Sequence, residues 1–335
     1  MSTQNRSSSR WSIVLAGGDG ERLRPSIQKW LGYPLPKQYC TFVGTRSMLQ
    51  HTWGRANQIV WPRKKVTVLG RTHQPRSDAH LPGQSEEGTF IFQPRNCDTA
   101  PGVFLPLTYV KAWDPQAVVV IFPSDHFIFP EDQFVETVRR AARAVELWRD
   151  RMILLGVRPS HLELDYGWIA PGDVLGWSEG SCIRHIQEFA EKPGALDGER
   201  LMNQGALWNT LILVANVETL WNAGWACVPE VMERFEPLRQ SIGTPAEGFM
   251  LQTIYHDMPT RNFSREVLQP LSNQLGVMEL EKVLWSDWGR PERILETLQT
   301  VGIRPAFPPE VFNAIQTPAK PKVEVGVACT VNPII

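Results

Sequence analysis

Apolar and polar positions fall into alternating blocks along this chain, and the blocks predict buried strands separated by amphipathic helices. Residues 11–16 form a short apolar run that Gly17-Gly18-Asp19-Gly20 breaks, the pattern of a buried strand ending in a turn. Ser47 is placed to cap a helix over 48–59, and 66–70 and 89–93 read as further strands. Residues 117–122 (AVVVIF) are the most continuous β-branched run, as a central parallel strand requires. A helix is predicted over 131–149, where Phe134, Val138, Ala141, Val145 and Trp148 recur at helical spacing. Acids open it and arginines crowd its second half, in keeping with the helix dipole. Residues 152–157 are strand-like again. Strands alternating with helices predict a doubly wound α/β sheet.

Beyond residue 160 the pattern loosens. Strand-like runs at 166–170, 182–189, 207–215 and 283–286 mix with helix-like runs at 217–224, 231–238, 246–255 and 291–301. Pro305, Pro308, Pro309, Pro318, Pro321 and Pro333 make 304–335 read as an irregular tail on the surface or partly disordered, and 1–10 read as a disordered arm. No internal repeat or hexapeptide pattern is present.

Composition narrows the function. Of 335 residues, 42% are hydrophobic and 21% charged, a soluble globular profile. Lys+Arg number 34 against 35 Asp+Glu, so no bulk charge favours nucleic acid or an anionic membrane. No apolar run approaches the roughly 18–20 residues of a bilayer span. The polar start lacks the apolar region of a signal peptide, and five cysteines without a C-x-x-C pair fit a reducing compartment; the expected location is cytoplasmic. Seven scattered histidines form no zinc motif.

The candidate chemistry starts at the first turn. Ala16 ends the strand, and Gly17, Gly18 and Gly20 let backbone N–H groups approach a polyphosphate, with Arg22 as a delocalised cation beside them. Leu23 stands where a dinucleotide fingerprint needs glycine, and no Gly-Lys-Ser/Thr run makes a Walker loop. Several later motifs follow in order. They are Pro36-Lys37-Gln38, Gln93-Pro94 with Thr99-Ala100-Pro101, Pro123-Ser124-Asp125-His126, Tyr166-Gly167-Trp168-Ile169, Phe189-Ala190-Glu191-Lys192-Pro193, Leu207-Trp208-Asn209 and Asp287-Trp288-Gly289.

Over about residues 12–300 this set resembles the sugar-1-phosphate nucleotidyltransferases, and within them the mannose-1-phosphate guanylyltransferase branch. The resemblance implies a mostly parallel Rossmann-like α/β fold of nucleotidyltransferase/GT-A-like type with an antiparallel sugar-binding extension. It further implies one domain over 11–303, with a nucleotide-binding half at about 11–160 and a sugar-binding half at about 161–303. The implied substrates are a nucleoside triphosphate, GTP foremost, and a sugar 1-phosphate, mannose 1-phosphate foremost; a homo-oligomer is left open.

Each site residue also has an ordinary reading. Alone, Asp125 is a turn aspartate and Asp287 a helix-entry aspartate. As a pair the resemblance makes them ligands of Mg2+ or Mn2+. Lys37 and Lys192 could be surface lysines, although neighbouring prolines restrict both. By resemblance Arg22, Lys37 and Asp125 are catalytic, and Ala16, Gly17, Gly18, Gly20, Gln93 and Thr99 bind nucleotide. Gly167, Glu191, Lys192 and Asn209 then hold the sugar phosphate, and His126 plays a supporting part. Trp168, Trp208 and Trp288 read as core.

The chain departs from the usual E-P-x-x-R-N-T-A-P pattern, placing Gln93 at the glutamate, Cys97 at the arginine and Asp98 at the asparagine. Glu21 also puts an anion beside the glycine turn. These departures motivate two alternatives: an inactive nucleotide-sugar-binding regulator on the same fold, or a transferase of different base or sugar specificity. Glu191-Lys192-Pro193 with Trp208-Asn209 argues against a non-sugar alcohol phosphate.

Overall fold

A computed structural model of the protein describes residues 9–71 and 88–313. Nine strands form one sheet in the order β3-β2-β1-β4-β9-β6-β10-β8-β7. They are β1 (Arg10–Ala16), β2 (Lys65–Gly70), β3 (Thr89–Gln93), β4 (Val118–Pro123), β6 (Met152–Val157), β7 (Gly167–Ser178), β8 (Ser181–Glu191), β9 (Leu207–Asn216) and β10 (Leu275–Glu279). The β5 (Phe127–Phe129) and β11 (Leu284–Ser286) strands pair separately as an antiparallel ribbon. β1 runs parallel to β2 and β4, β2 to β3, and β6 to β10. β9 lies antiparallel between β4 and β6, and β8 lies antiparallel between β10 and β7. This is the mostly parallel α/β sheet expected, and both halves of the chain contribute strands to it.

The central run owes its continuity to burial on both faces. Along β4, Val118, Val120 and Phe122 enter one core and Val119 and Ile121 the other. The first core is closed by α4 (Glu131–Leu147), which presents Phe134, Val138, Ala141 and Val145. The predicted helix is slightly shorter than expected, because Trp148 leaves helical geometry.

The second core holds an element that periodicity did not reveal, α3 (Thr99–Trp113). It is buried by the sheet on one side and by α6 (Val217–Cys227) and α7 (Pro229–Ser241) on the other, so its apolar residues run all round it. Pro101 lies in its first turn and Pro106 in its interior. Further elements outside the expected set are α1 (Arg24–Leu31), α5 (Ala195–Asn203), β5 and β10. The remaining helices, α2 (Met48–Asn57), α8 (Glu247–His256), α9 (Pro291–Val301) and the short α10 (Glu310–Asn313), complete the described chain. Ser47 caps α2 in a capping box with Gln50, as its position predicted.

The Pro-rich stretch does not stay on the surface over its first residues. Pro305 bridges Val43, and Phe307 and Phe312 are buried against Phe42 and Trp30. The rest of that tail, 314–335, and residues 1–8 of the predicted arm lie outside the described residues. Arg10 already belongs to β1.

Cys97 is fully buried in the second core, where burial pushes its thiol pKa up. Position 97 therefore cannot present an arginine to a ligand without placing a guanidinium in that core. Cys97→Arg is expected to lower unfolding stability by about 3 kcal/mol or more, read as a shifted urea midpoint. An unchanged midpoint would contradict the burial.

Candidate active site

The glycine turn lies at the carboxyl end of β1, where ligands of open α/β sheets bind. Gln38 fixes its course by donating from Nε2 to the carbonyls of Ala16 (3.0 Å) and Gly18 (2.8 Å). Gly20 adopts φ 63°, and a Cβ there would lie 3.1 Å from the Lys37 nitrogen. The turn continues through Glu21–Leu23 into α1 and leaves the Arg22 side chain 57% exposed. From the end of β3, Gln93 reaches the same turn. Its Nε2 donates to the Arg95 carbonyl (2.8 Å), and its Oε1 would sit 3.2 Å from a Cβ on Gly17.

Lys37 is the centre of the cleft. It lies in a short turn after Pro36, is 5% exposed, and places Nζ 2.8 Å from Asp125 Oδ2. The same ammonium donates to the Asp287 carbonyl and meets the Trp288 carbonyl at 3.5 Å. The two aspartates thus come from separate elements, one just past β4 and one just past β11, and both meet Lys37, Asp125 through its carboxylate and Asp287 through its main-chain carbonyl. Burial pushes the Asp125 carboxyl up, but Lys37, then His126, more than offset this and leave it below its usual value. His126 is itself held near pKa 4 by burial, so it is neutral at pH 7. Its Nδ1 accepts from Trp285 Nε1 (3.1 Å), leaving Nε2 toward Asp125 at 3.8 Å.

Asp287 is the most heavily bonded carboxylate here. Oδ1 accepts from Tyr166 Oη (2.7 Å), Arg293 Nη1 (2.6 Å) and the Gly289 nitrogen (2.9 Å), and Oδ2 meets Arg22 Nη2 at 3.3 Å. Burial raises its pKa; Lys37 and Arg293, with these hydrogen bonds, pull it well below the usual carboxylate range. Around it stand Glu163 bonded to Arg293, and Asp165 bonded to Arg290 and 3.9 Å from Arg22. Burial acts to raise Glu163, yet His161, the Asp165 nitrogen and Arg293 hold it at about 2.

Three of the residues expected to hold the sugar phosphate, Gly167, Glu191 and Asn209, also meet. Gly167 opens β7 opposite Glu191, the last residue of β8. A Cβ on Gly167 would collide with Glu191 Oε2 at 2.7 Å and crowd Asn209 Nδ2 at 3.4 Å, so only glycine lets the three approach. Burial raises the Glu191 pKa, against Lys192 and Arg265. Lys192 has an exposed side chain and a left-handed backbone (φ 51°), with its nitrogen bonded to the Tyr166 carbonyl at 3.2 Å. Asn209 turns its Oδ1 to the Leu211 nitrogen (3.0 Å). Trp168, Trp208 and Trp288 are buried, in accord with their core reading.

The segment after β3 has its own set of contacts. Arg95, near the missing arginine, spends its guanidinium on the carbonyls of Tyr255 (2.8 Å) and Met258 (2.6 Å) and does not compensate for Cys97. The Thr99 hydroxyl, expected to bind nucleotide, accepts from the Phe263 nitrogen (2.8 Å). Asp98 caps α3 through the Thr99 nitrogen (2.6 Å) at φ 66°. Gln38, Tyr166, Glu163, Asp165, Arg290 and Arg293 are parts of the cleft to which sequence reasoning assigned no role. Gln38 and Tyr166 sat inside quoted motifs; the others carried no signal.

Among the described residues no cluster of three or more His, Cys, Asp or Glu side chains makes an all-protein metal cage. The carboxylates of Asp125 and Asp287 lie close enough for the charge of one to act on the other, and Asp287 keeps Oδ2 toward Arg22 while Oδ1 is filled. Mg2+ is typically held by one or two carboxylates plus substrate phosphates, so the residues present fit such an ion.

This geometry can be set beside known proteins. Residues 11–302 match the Nucleotidyl transferase family model. The chain is 29% identical to a mannose-1-phosphate guanylyltransferase of Salmonella montevideo over 202 residues, 59% of this chain and 41% of that protein. It is 23% identical to a mannose-1-phosphate guanylyltransferase of Escherichia coli over 284 residues, 83% of this chain and 59% of that one. The chain thus spans only 41% and 59% of these two curated relatives. Its fold is similar to that of a mannose-1-phosphate geranyltransferase from Thermus thermophilus, with a TM-score of 0.71 and 21% identity over 86% of this chain and 79% of that one. A UDP-glucose pyrophosphorylase complexed with UDP-glucose superposes with a TM-score of 0.54 at 14% identity, covering 88% of this chain and 98% of that one. No helix among the described residues is long and apolar enough to cross a membrane. With the family model matched across both halves of the sheet, the chain belongs to the nucleotidyl transferase family.

Proposed function

We propose that this chain transfers a nucleotidyl group from a nucleoside triphosphate, GTP foremost, to a sugar 1-phosphate, mannose 1-phosphate foremost, in the cytoplasm, making GDP-mannose and releasing pyrophosphate. The observation that carries this reading is the convergence of a glycine turn, Lys37, two ionised carboxylates and the Gly167–Glu191–Asn209 cluster in one region. The curated relatives named mannose-1-phosphate guanylyltransferase support the choice of substrates.

A sugar phosphate oxygen attacks the α-phosphorus in line, and the bond from that phosphorus to the bridging oxygen of the β-phosphate breaks. The nucleophile is already anionic at pH 7, so catalysis is positioning and charge neutralisation. The glycine turn cradles the triphosphate, and Arg22, exposed and tethered at 3.3 Å to Asp287, is available to charge on the departing pyrophosphate. Lys37 neutralises the cleft beneath the α-phosphate. Lys192 binds the sugar phosphate, and Glu191 and Asn209 take sugar hydroxyls beside Gly167. When bound, Mg2+ or Mn2+ on Asp125 and Asp287 supplies further charge neutralisation and orients the phosphates.

Gln93 supports guanine. With its Nε2 held by the Arg95 carbonyl, its Oε1 is turned to the glycine turn as an acceptor. An acceptor suits the N1–H and N2–H2 donor edge of guanine, and unmatched polar groups penalise other bases. The buried Cys97 takes no part in that recognition.

A matrix of four nucleoside triphosphates against several sugar 1-phosphates, read by pyrophosphate release, should give GTP with mannose 1-phosphate as the fastest pair. EDTA should abolish the release and Mg2+ restore it. If UTP or dTTP is best, the guanylyl assignment is wrong; if no pair reacts, the transferase reading is wrong.

Arg22→Ala should lower kcat by about 10²–10³ with little change in thermal midpoint, since its side chain is 57% exposed. Normal kcat in a destabilised variant would show a structural role instead.

Lys192→Ala should raise KM for the sugar 1-phosphate while leaving KM for the nucleotide nearly unchanged. Equal weakening of both substrates would move Lys192 out of the sugar-phosphate site.

A further inference from the structure

The cleft carboxylate of Asp287 is held by two buried side chains to which the proposed reaction assigns no role. Tyr166 is 7% exposed and Arg293 8%. The Tyr166 hydroxyl donates to Asp287 Oδ1 (2.7 Å) and accepts from Arg293 Nη1 (3.0 Å). The same Nη1 donates to Asp287 Oδ1 (2.6 Å), so hydroxyl, guanidinium and carboxylate close a triangle. Arg293 is fixed in turn. Its Nη2 is bonded to Glu163, and its guanidinium lies 4.7 Å over the Tyr166 ring. That ring packs edge-on against Trp208 and Trp285.

The consequence for Asp287 is geometric. A carboxylate free to spin about its last torsion offers either oxygen to the cleft and loses entropy on ligation. Here Oδ1 is saturated by two side chains and the Gly289 nitrogen, and Oδ2 is turned to meet Arg22. Hydrogen bonds in which the partner is charged are the strong ones, and a carboxylate so bonded keeps one rotamer.

We propose that Tyr166 and Arg293 are positioning residues that lock Asp287 in the one orientation from which Oδ2 ligates a divalent cation. This rests on the reading of Asp287 as a cation ligand. Groups that orient a metal ligand typically change metal affinity or activity by about 10–100-fold when removed.

Two charge-conserving variants isolate the effect. Tyr166→Phe keeps the ring in place and deletes the hydroxyl. Arg293→Lys keeps the positive charge and deletes the planar fork. The measurement is the Mn2+ dissociation constant, read by electron paramagnetic resonance on full-length protein with a non-reacting GTP analogue, alongside the thermal midpoint. Each variant should bind Mn2+ about 10-fold more weakly. The double variant should be little weaker than the worse single one, because both residues act on one carboxylate. An unchanged dissociation constant in the folded variants overturns the proposal, whatever the thermal midpoint does. Should Arg293→Lys fail to fold, Tyr166→Phe decides alone. If wild-type protein binds no Mn2+ under these conditions, the cation-ligand reading of Asp287 falls and this proposal with it; if wild type binds and both variants match it, only this proposal falls.

Discussion

The cleft is organised around one buried ammonium. Lys37 Nζ is removed from water and must be compensated where it lies, since an unpaired buried charge is far more costly than a paired one. Its compensation is split between a carboxylate, Asp125, and the main-chain carbonyls of Asp287 and Trp288. One charge therefore joins the end of β4 to the turn after β11, across most of the sequence. The same short turn that carries Lys37 supplies Gln38, which ties down the glycine turn after β1. Three segments distant in sequence are thereby registered against each other at adjacent residues.

The charges around this ammonium balance. Asp125, Glu163, Asp165 and Asp287 stand among Arg22, Lys37, Arg290 and Arg293, four acids with four bases. Such a cleft is not a broad positive surface waiting for any polyanion. Under the proposed reaction, a triphosphate entering it would bring several negative charges for which no unpaired buried cation stands ready among these residues. Cation exchange, with Arg22 leaving Asp287 for phosphate, is the kind of rearrangement this balance calls for, and the exposure of Arg22 leaves it room to move.

Much of this was legible along the chain, for identifiable reasons. The strands of the parallel part are apolar runs buried on both faces, and their ends carry the glycine turn, Gln93 and Asp125 in plain view. Motif order across both halves pointed to Lys37, which meets Asp125, and to Gly167, Glu191 and Asn209, which lie against one another. Periodicity failed where burial is all-round: α3 shows no polar face and contains Pro106, so neither helical spacing nor composition marks it. It also failed where a residue's worth depends on what folds against it. Arg293 is an ordinary basic position in an amphipathic helix until Tyr166 and Glu163 arrive from elsewhere, and Cys97 looked like a lost ligand until its side chain proved to face the core.

The antiparallel insertion of β9 has a consequence during synthesis. β4 pairs on one edge with β1, made earlier, but its other edge is completed only by β9, which ends at Asn216. At about 5–20 residues per second, the ribosome leaves that edge without its partner for roughly 5–20 s. The exposed strand during this interval is VVVIFP, rich in β-branched residues and devoid of charge. Such an edge is a template for pairing with another chain. The nascent polypeptide thus passes through a window in which a strand destined for the centre of the sheet has one edge unpaired.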